Sequence, residues 1–260
     1  MLLAIDIGNT NVVLGCFRGE ELRFEARIAT DGARTADQYG LEIRQMLEAF
    51  GVRREDVEDC IISSVVPPVL SAVRDGVRKF LGREPLAVGP DLETGLEICM
   101  DSPAQMGADL IVVAVAALRK YAAPLILIDM GTATTMEVLE PGSRYVGGLV
   151  MPGVRISLDA LTGRTAQLPG IDLEKPGKVV GTNTEDCMRS GLLYGAAAML
   201  DGLIERIWAE RGMKHRVVAT GGLAPFIVPL CKHEIILEKD LLLHGLQELY
   251  RLNAAPPAGP

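Results

Sequence analysis

Two apolar runs in this chain stop at the same kind of turn. Leu2-Leu3-Ala4-Ile5 ends at Asp6, followed by Ile7, Gly8, Asn9, Thr10 and Asn11 before Val12 and Val13 begin a new apolar stretch. Leu125-Ile126-Leu127-Ile128 ends at Asp129, followed by Met130, Gly131, Thr132, Ala133, Thr134 and Thr135 before Met136-Glu137-Val138. Each reads as strand, tight turn, strand. Two widely separated copies of one design predict an α/β chain of two related half-domains facing a cleft.

The turns carry chemistry as well as topology. Gly8 lets the backbone approach a ligand or take a positive φ. Thr10 and Asn11 offer short donors beside exposed N–H groups, and Asp6 sits where a cation or its waters can be held. Either copy alone is equally readable as an ordinary hairpin, because Asn and Gly are common turn residues. A third stretch, Val217-Val218-Ala219-Thr220-Gly221-Gly222-Leu223-Ala224, runs from a strand through paired glycines toward a helix. A nucleotide can lie against such backbone. The chain has neither a Walker-type phosphate loop nor a protein-kinase Gly-rich loop, so bound ATP would rest on the Asp-x-Gly turns.

The order of these motifs resembles the acetate kinase, sugar kinase, Hsp70 and actin superfamily, and within it the type III pantothenate kinases. The resemblance runs from Met1 to about Asn253. Its further motifs are Gly107-Ala108-Asp109, Gly147-Gly148 with Pro152-Gly153, Arg164-Thr165-Ala166 with Leu168-Pro169, and Gly181-Thr182-Asn183-Thr184. It implies duplicated ribonuclease-H-like (actin-like ATPase) half-domains with a central nucleotide cleft. Residues 1–122 would hold the first phosphate motif and the catalytic aspartate, residues 123–253 the second phosphate and adenosine motifs, and 254–260 a tail.

The resemblance also implies an activity: phosphorylation of pantothenate by ATP with Mg²⁺, for coenzyme A synthesis. Asp6, Ile7, Gly8, Asn9, Thr10, Asn11, Val12 and Val13 would bind ATP, with Thr132, Thr134, Thr135, Gly221 and Gly222. Asp6 would hold Mg²⁺ through water, and Asp129 a monovalent cation, K⁺ or NH₄⁺. Asp109 matches the family's general base, although an acid in a helix's first turn is also explained by attraction to the helix dipole. Met100, Gly107, Ala108, Asp109, Leu110 and Thr184 would line the acceptor site, with Thr184 often serving a partner subunit in a homodimer.

This sequence departs from the family pattern at three positions. Leu110 stands where an arginine is usual, Val113 where asparagine is usual, and Met100 where a tyrosine is common. Leu110 makes no charge-assisted hydrogen bond and Met100 donates none. The departures fall on the acceptor side and leave the nucleotide side intact. They admit a second reading, a kinase of another small alcohol, and a third, a nucleotide-binding regulator without catalysis.

The formal net charge of −8, without a Lys/Arg-rich run, argues against nucleic acid. The longest apolar run, Leu110 to Leu118, is too short to span a bilayer. Asp6 comes too early for a signal peptide, so a cytoplasmic protein is expected. The scattered Cys16, Cys60, Cys99, Cys187 and Cys231 read as reduced buried thiols. His215, His233 and His244 lack metal-ligand spacing and read as surface or hydrogen-bonded core residues.

Local signals set further expectations. Thr35 with Gln38 is a capping-box pattern ahead of a helix that Gly51 ends. Cys60 to Val66 reads as a buried strand, with Ser63 and Ser64 capping a helix that opens at Pro67-Pro68. Residues 89–102 read as an irregular loop, and Thr182, Asn183 and Thr184 precede a long helix to about Glu210. Asp240 to Leu252 reads as a closing helix.

Overall fold

In the computed structural model, which describes residues 1–254, eleven strands and seven α-helices follow one another in an α/β order. The first stretch holds β1 (Leu2–Ile7), β2 (Asn11–Arg18), β3 (Glu21–Ala29), α1 (Ala36–Ala49), β4 (Asp59–Ser64), α2 (Pro67–Leu81), β5 (Leu86–Ala87), β6 (Glu97–Ile98) and α3 (Ala108–Lys120). Then come β7 (Leu125–Met130), β8 (Ala133–Glu140), β9 (Arg144–Pro152), α4 (Val154–Arg164), α5 (Thr184–Arg211), β10 (Arg216–Thr220), α6 (Ala224–Ile227), β11 (Ile236–Leu237) and α7 (Leu241–Asn253).

The chain forms two compact units. The first comprises residues 1–96, 101–119 and 241–254; the second comprises Glu97–Met100 and Lys120–Asp240, and residues 255–260 of the expected tail lie outside the described residues. This differs from a single cut near residue 122. The closing helix α7 packs on β1, β2 and β4, so the C-terminal segment belongs to the first unit. The reason is apolar: Leu243, Leu246 and Leu249 bury against Ala4, Phe17 and Ile61.

The first unit's sheet has the order β3-β2-β1-β4-β5. Its first three strands are antiparallel, and β4 and β5 join parallel. One face carries Leu3, Ile5, Ile7, Val12 and Leu14, with Tyr39 and Ile43 of α1 and Val69, Val73 and Val77 of α2. The other face carries Ala4 and Ile61 and is covered by Val112 and Val115 of α3 and by α7. Strand alternation puts Asp6 and Ser63 on that second face.

The helices obey their local signals. Thr35 and Gln38 make the expected capping box, and Pro67 and Pro68 open α2, which ends in a left-handed Gly82. The α1–α2 crossing is tighter than any pattern foretold. A Cβ on Gly76 would lie 2.6 Å from the Ala36 carbonyl oxygen, and one on Gly40 2.7 Å from the Gly76 oxygen.

The second unit repeats the plan. Its sheet runs β11-β10-β7-β8-β9-β6. Strands β7, β8 and β9 are antiparallel, β10 joins β7 parallel and β11 joins β10 parallel, as in the first sheet. The short β6 is an addition inside the segment expected to be irregular, and pairs parallel with β9. Ile126, Ile128, Met136, Val217 and Ala219 bury against α5 and α6 through Leu193, Ala197, Ile204, Ala224 and Ile227. Among the described residues no helix is long and apolar enough to cross a membrane.

Candidate functional site

Asp6 and Asp129 occupy equivalent places, each near the end of the central strand of its sheet. In the first unit, Gly8 N–H donates to the Asn11 carbonyl at 3.0 Å and closes the turn. Thr30 Oγ donates to the Gly8 carbonyl at 2.7 Å, and Thr30 N–H to the Thr10 carbonyl at 3.0 Å, so the residue that follows β3 braces the turn. Asn9, Thr10 and Asn11 are exposed, which leaves short polar groups at the surface of a braced loop. Asp6 is only 8 % exposed. Ile7 and Val12, expected among the ATP-binding residues, are fully buried in the core, so their side chains serve packing and only their backbone can meet a ligand.

In the second unit, Gly131 N–H donates to the Ala133 carbonyl at 3.0 Å. Gly153 supports this turn from below: a Cβ there would lie 2.2 Å from the Thr132 oxygen and 2.7 Å from the Gly131 oxygen. That close approach explains why glycine follows Pro152. Asp129 pairs in register with Thr135 on β8 and with Thr220 on β10, so the three side chains share one face. The Thr135 hydroxyl is buried without a hydrogen-bond partner. Thr134 alternates to the opposite, core-facing side and is 5 % exposed, unlike the exposed Thr132.

The paired glycines sit beside Asp129. Leu223 N–H donates to the Met130 carbonyl at 3.3 Å, tying the loop after β10 to the end of β7. Gly221 has φ +97°, and a Cβ on it would lie 2.5 Å from Asp129 Oδ1 and 2.6 Å from Met130 N. Only glycine fits. Gly222 is exposed, as a surface meeting a ligand would be.

Asp109 lies in the first turn of α3, on the first unit. Its Oδ1 accepts the Leu110 N–H at 2.9 Å and folds back over Gly107, where a Cβ would lie 2.3 Å from it. Burial pushes the Asp109 carboxyl up from its ordinary 3.8, partly offset by backbone N–H groups that favour the anion. A carboxylate that is half-buried and raised in pKa suits a base that takes a proton from an alcohol as its bond to phosphorus forms. The helix-dipole account of Asp109 does not explain its fold onto Gly107.

The other acceptor residues are placed as follows. Leu110 is half-buried on α3, and Ala108 opens that helix. Met100, 37 % exposed, belongs to the second unit and lies beside Gly147, with its sulfur 4.0 Å from where a Gly147 Cβ would be. Thr184 is exposed at the first position of α5 and lines a cavity of about 580 Å³ with Gln167, Pro169, Asn183 and Arg189. Of Thr182, Asn183 and Thr184, Asn183 is the cap of α5, accepting the Asp186 N–H at 2.9 Å.

Several readings are corrected by the packing. Ser63 does not cap α2; its hydroxyl donates to Asp6 Oδ1. Ser64 instead accepts the Val66 N–H at 3.0 Å. His215 is buried with neither ring nitrogen hydrogen-bonded, and burial holds its pKa below the ordinary value. Of the five cysteines, Cys16 and Cys60 are buried, whereas Cys99 and Cys187 are exposed. Sequence reasoning also passed over Glu137, a 1 % exposed carboxylate on the Asp129 face two register pairs beyond Thr135. An acid between the apolar Met136 and Val138 was the available signal.

A family model described as type III pantothenate kinase matches residues 2–206. A type III pantothenate kinase of Moorella thermoacetica is 42% identical over 253 residues, which are 97% of this chain and 100% of that protein. Among solved structures, the activator of the 2-hydroxyisocaproyl-CoA dehydratase from Clostridium difficile, with bound ADPNP, aligns at TM-score 0.58 and 15% identity, covering 100% of this chain and 99% of that one. Component A of the Acidaminococcus fermentans (R)-2-hydroxyglutaryl-CoA dehydratase aligns at TM-score 0.56 and 16% identity, covering 96% of each chain. At these identities the structural likeness carries the fold, which is of the actin-like ATPase kind.

Proposed function

This chain belongs to the type III pantothenate kinase family, and from that membership we propose that it transfers the γ-phosphoryl group of ATP to pantothenate. The product is 4′-phosphopantothenate, and the step opens coenzyme A biosynthesis. The observation that carries the reading on this chain's own residues is Asp109, a carboxylate raised by burial and seated on a glycine that leaves it room.

Phosphoryl transfer needs mainly positioning and charge compensation. The braced turn of Gly8, Asn9, Thr10 and Asn11 supplies phosphate donors on the first unit. Thr132 and Thr135, with the backbone of Thr134, supply them on the second. Gly221 and Gly222 offer bare backbone to the adenosine. Magnesium and a monovalent cation, when bound, compensate phosphate charge. Asp6 fits the first, through water, because its carboxylate borders the turn. Asp129 fits K⁺ or NH₄⁺, because an unpartnered Thr135 hydroxyl adds an oxygen ligand on the same face. Asp109 takes the proton of the pantothenate hydroxyl onto its carboxylate. Thr184 and its cavity fit a role in acceptor binding, within a homodimer that works in the cytoplasm.

The test is turnover of pantothenate by purified protein with ATP and Mg²⁺, comparing K⁺ or NH₄⁺ with Na⁺. Turnover that requires K⁺ or NH₄⁺ supports both the activity and the Asp129 assignment. Asp109→Asn should lower kcat by roughly 10²–10⁴-fold while ATP still binds. Leu110 and Met100 favour one second reading, a kinase for another small alcohol. ATP binding without pantothenate turnover, but with turnover on another hydroxyl compound, would select it.

A further inference from the structure

Strands β1 and β4 run parallel with Asp6 opposite Ser63. Ser63 is fully buried, and its hydroxyl donates to Asp6 Oδ1. The second carboxylate oxygen points the other way: a Cβ on Gly8 would lie 3.9 Å from Asp6 Oδ2. One oxygen is thus held by the sheet and the other borders the phosphate turn.

Ser63 has no competing local duty, because the turn into α2 is served by Ser64. The duplicated fold repeats the placement. In the second sheet β10 runs parallel to β7 and sets Thr220, 7 % exposed, opposite Asp129. In both halves the strand that joins parallel puts a buried hydroxyl beside the acid of the Asp-x-Gly turn. A carboxylate's terminal torsion is broad and nearly two-fold, so an unanchored aspartate samples many orientations. A hydroxyl bonded to one oxygen is a charge-assisted contact strong enough to select one of them.

We propose that Ser63 is a positioning residue for phosphoryl transfer, fixing the Asp6 carboxylate so that Oδ2 faces the Gly8 turn and thereby setting the affinity for magnesium-bound nucleotide. This rests on the kinase reading above. Removing the hydroxyl takes away the contact that holds Oδ1 against the sheet, and the loss falls on the magnesium-dependent part of binding alone.

Calorimetry with a non-hydrolysable ATP analogue, with and without Mg²⁺, tests the inference. Ser63→Ala should weaken binding of the magnesium complex about tenfold and change metal-free binding less than about twofold. Ser63→Thr, which keeps the hydroxyl, should recover affinity to within about threefold of the parent. A crystal structure of Ser63→Ala should show Asp6 Oδ2 turned from the Gly8 turn. Parent-like affinity of Ser63→Ala for the magnesium complex overturns the proposal, as does an Asp6 carboxylate that has not moved. Should the alanine variant fail to fold, Ser63→Cys decides, because its thiol is nearly isosteric but a weak donor: weakened magnesium-dependent binding supports the proposal and parent affinity refutes it. A parent protein that binds no magnesium nucleotide would fail the kinase reading, and the Asp6 orientation in the variant crystal would then judge Ser63 by itself.

Discussion

Replacing Gly107 with alanine puts a methyl group where the Asp109 carboxylate now lies. The new carbon would sit 2.3 Å from Oδ1 and 3.5 Å from Cγ, with Leu110 Cγ at 3.8 Å. Non-bonded heavy atoms rest at about 3.5 Å, so the carboxylate must retreat by roughly 1 Å. The obstacle is the end of a side chain that can rotate, and the backbone needs no shift. Stability should therefore stay within about 1 kcal/mol of the parent. Catalysis should not be spared. A reacting group misplaced by about 1 Å can lose roughly 10²-fold in rate, equivalent to about 2.7 kcal/mol of barrier. A steady-state assay coupled to ADP release, varying pantothenate and ATP separately, reads the effect. The expected result is a kcat about 10²-fold lower, an unchanged KM for ATP, and a Tm near the parent's. Asp109→Asn in the same assay marks the floor. A Gly107→Ala enzyme with kcat within about threefold of the parent would refute the placement of Asp109 as the base.

Other outcomes follow from the same geometry. Gly221→Ala forces a Cβ between Asp129 and the Met130 backbone at positive φ; it should cost about 2–5 kcal/mol in chemical denaturation, and a loss below about 1 kcal/mol would contradict the close approach. Gly76→Ala should destabilise the first unit by at least about 1–3 kcal/mol without moving KM for either substrate, since the new Cβ meets only Ala36 and Gly40 and pries α1 from α2; a stable variant means the helices can separate freely. Burial favours neutral His215, so its folded pKa lies below the unfolded 6.5 and the unfolded chain takes up the proton first. Stability should be level above about pH 6.5 and fall as pH drops below it, and His215→Phe should flatten that limb; a variant curve parallel to the parent's would assign the acid loss elsewhere. For catalysis the base must be ionised, so the acid limb of kcat/KM should lie above 3.8, the ordinary Asp109 value, and vanish in Asp109→Asn.

Local chemistry wrote much of this molecule into its sequence. The two Asp-x-Gly turns, the glycine pair after Thr220, the Thr35 capping box and the proline start of α2 are decided within a few residues, by turn geometry and hydrogen bonds that a short peptide already contains. The duplication was legible for the same reason, because two strand-turn-strand units of one design make sheets of one strand order. What stayed hidden depends on partners distant in sequence. Whether Ser63 caps a helix or holds Asp6 is settled by a strand 57 residues away. That α7 closes the first unit depends on which sheet face still had apolar area to cover. The narrowness of Gly40 against Gly76, the seat of Asp109 on Gly107 and the unbonded ring of His215 are likewise facts of packing. A sequence fixes the hydrogen bonds a residue reaches along its own backbone; the ones it makes across a sheet, and the charge states that burial then imposes, exist only once the strands have met.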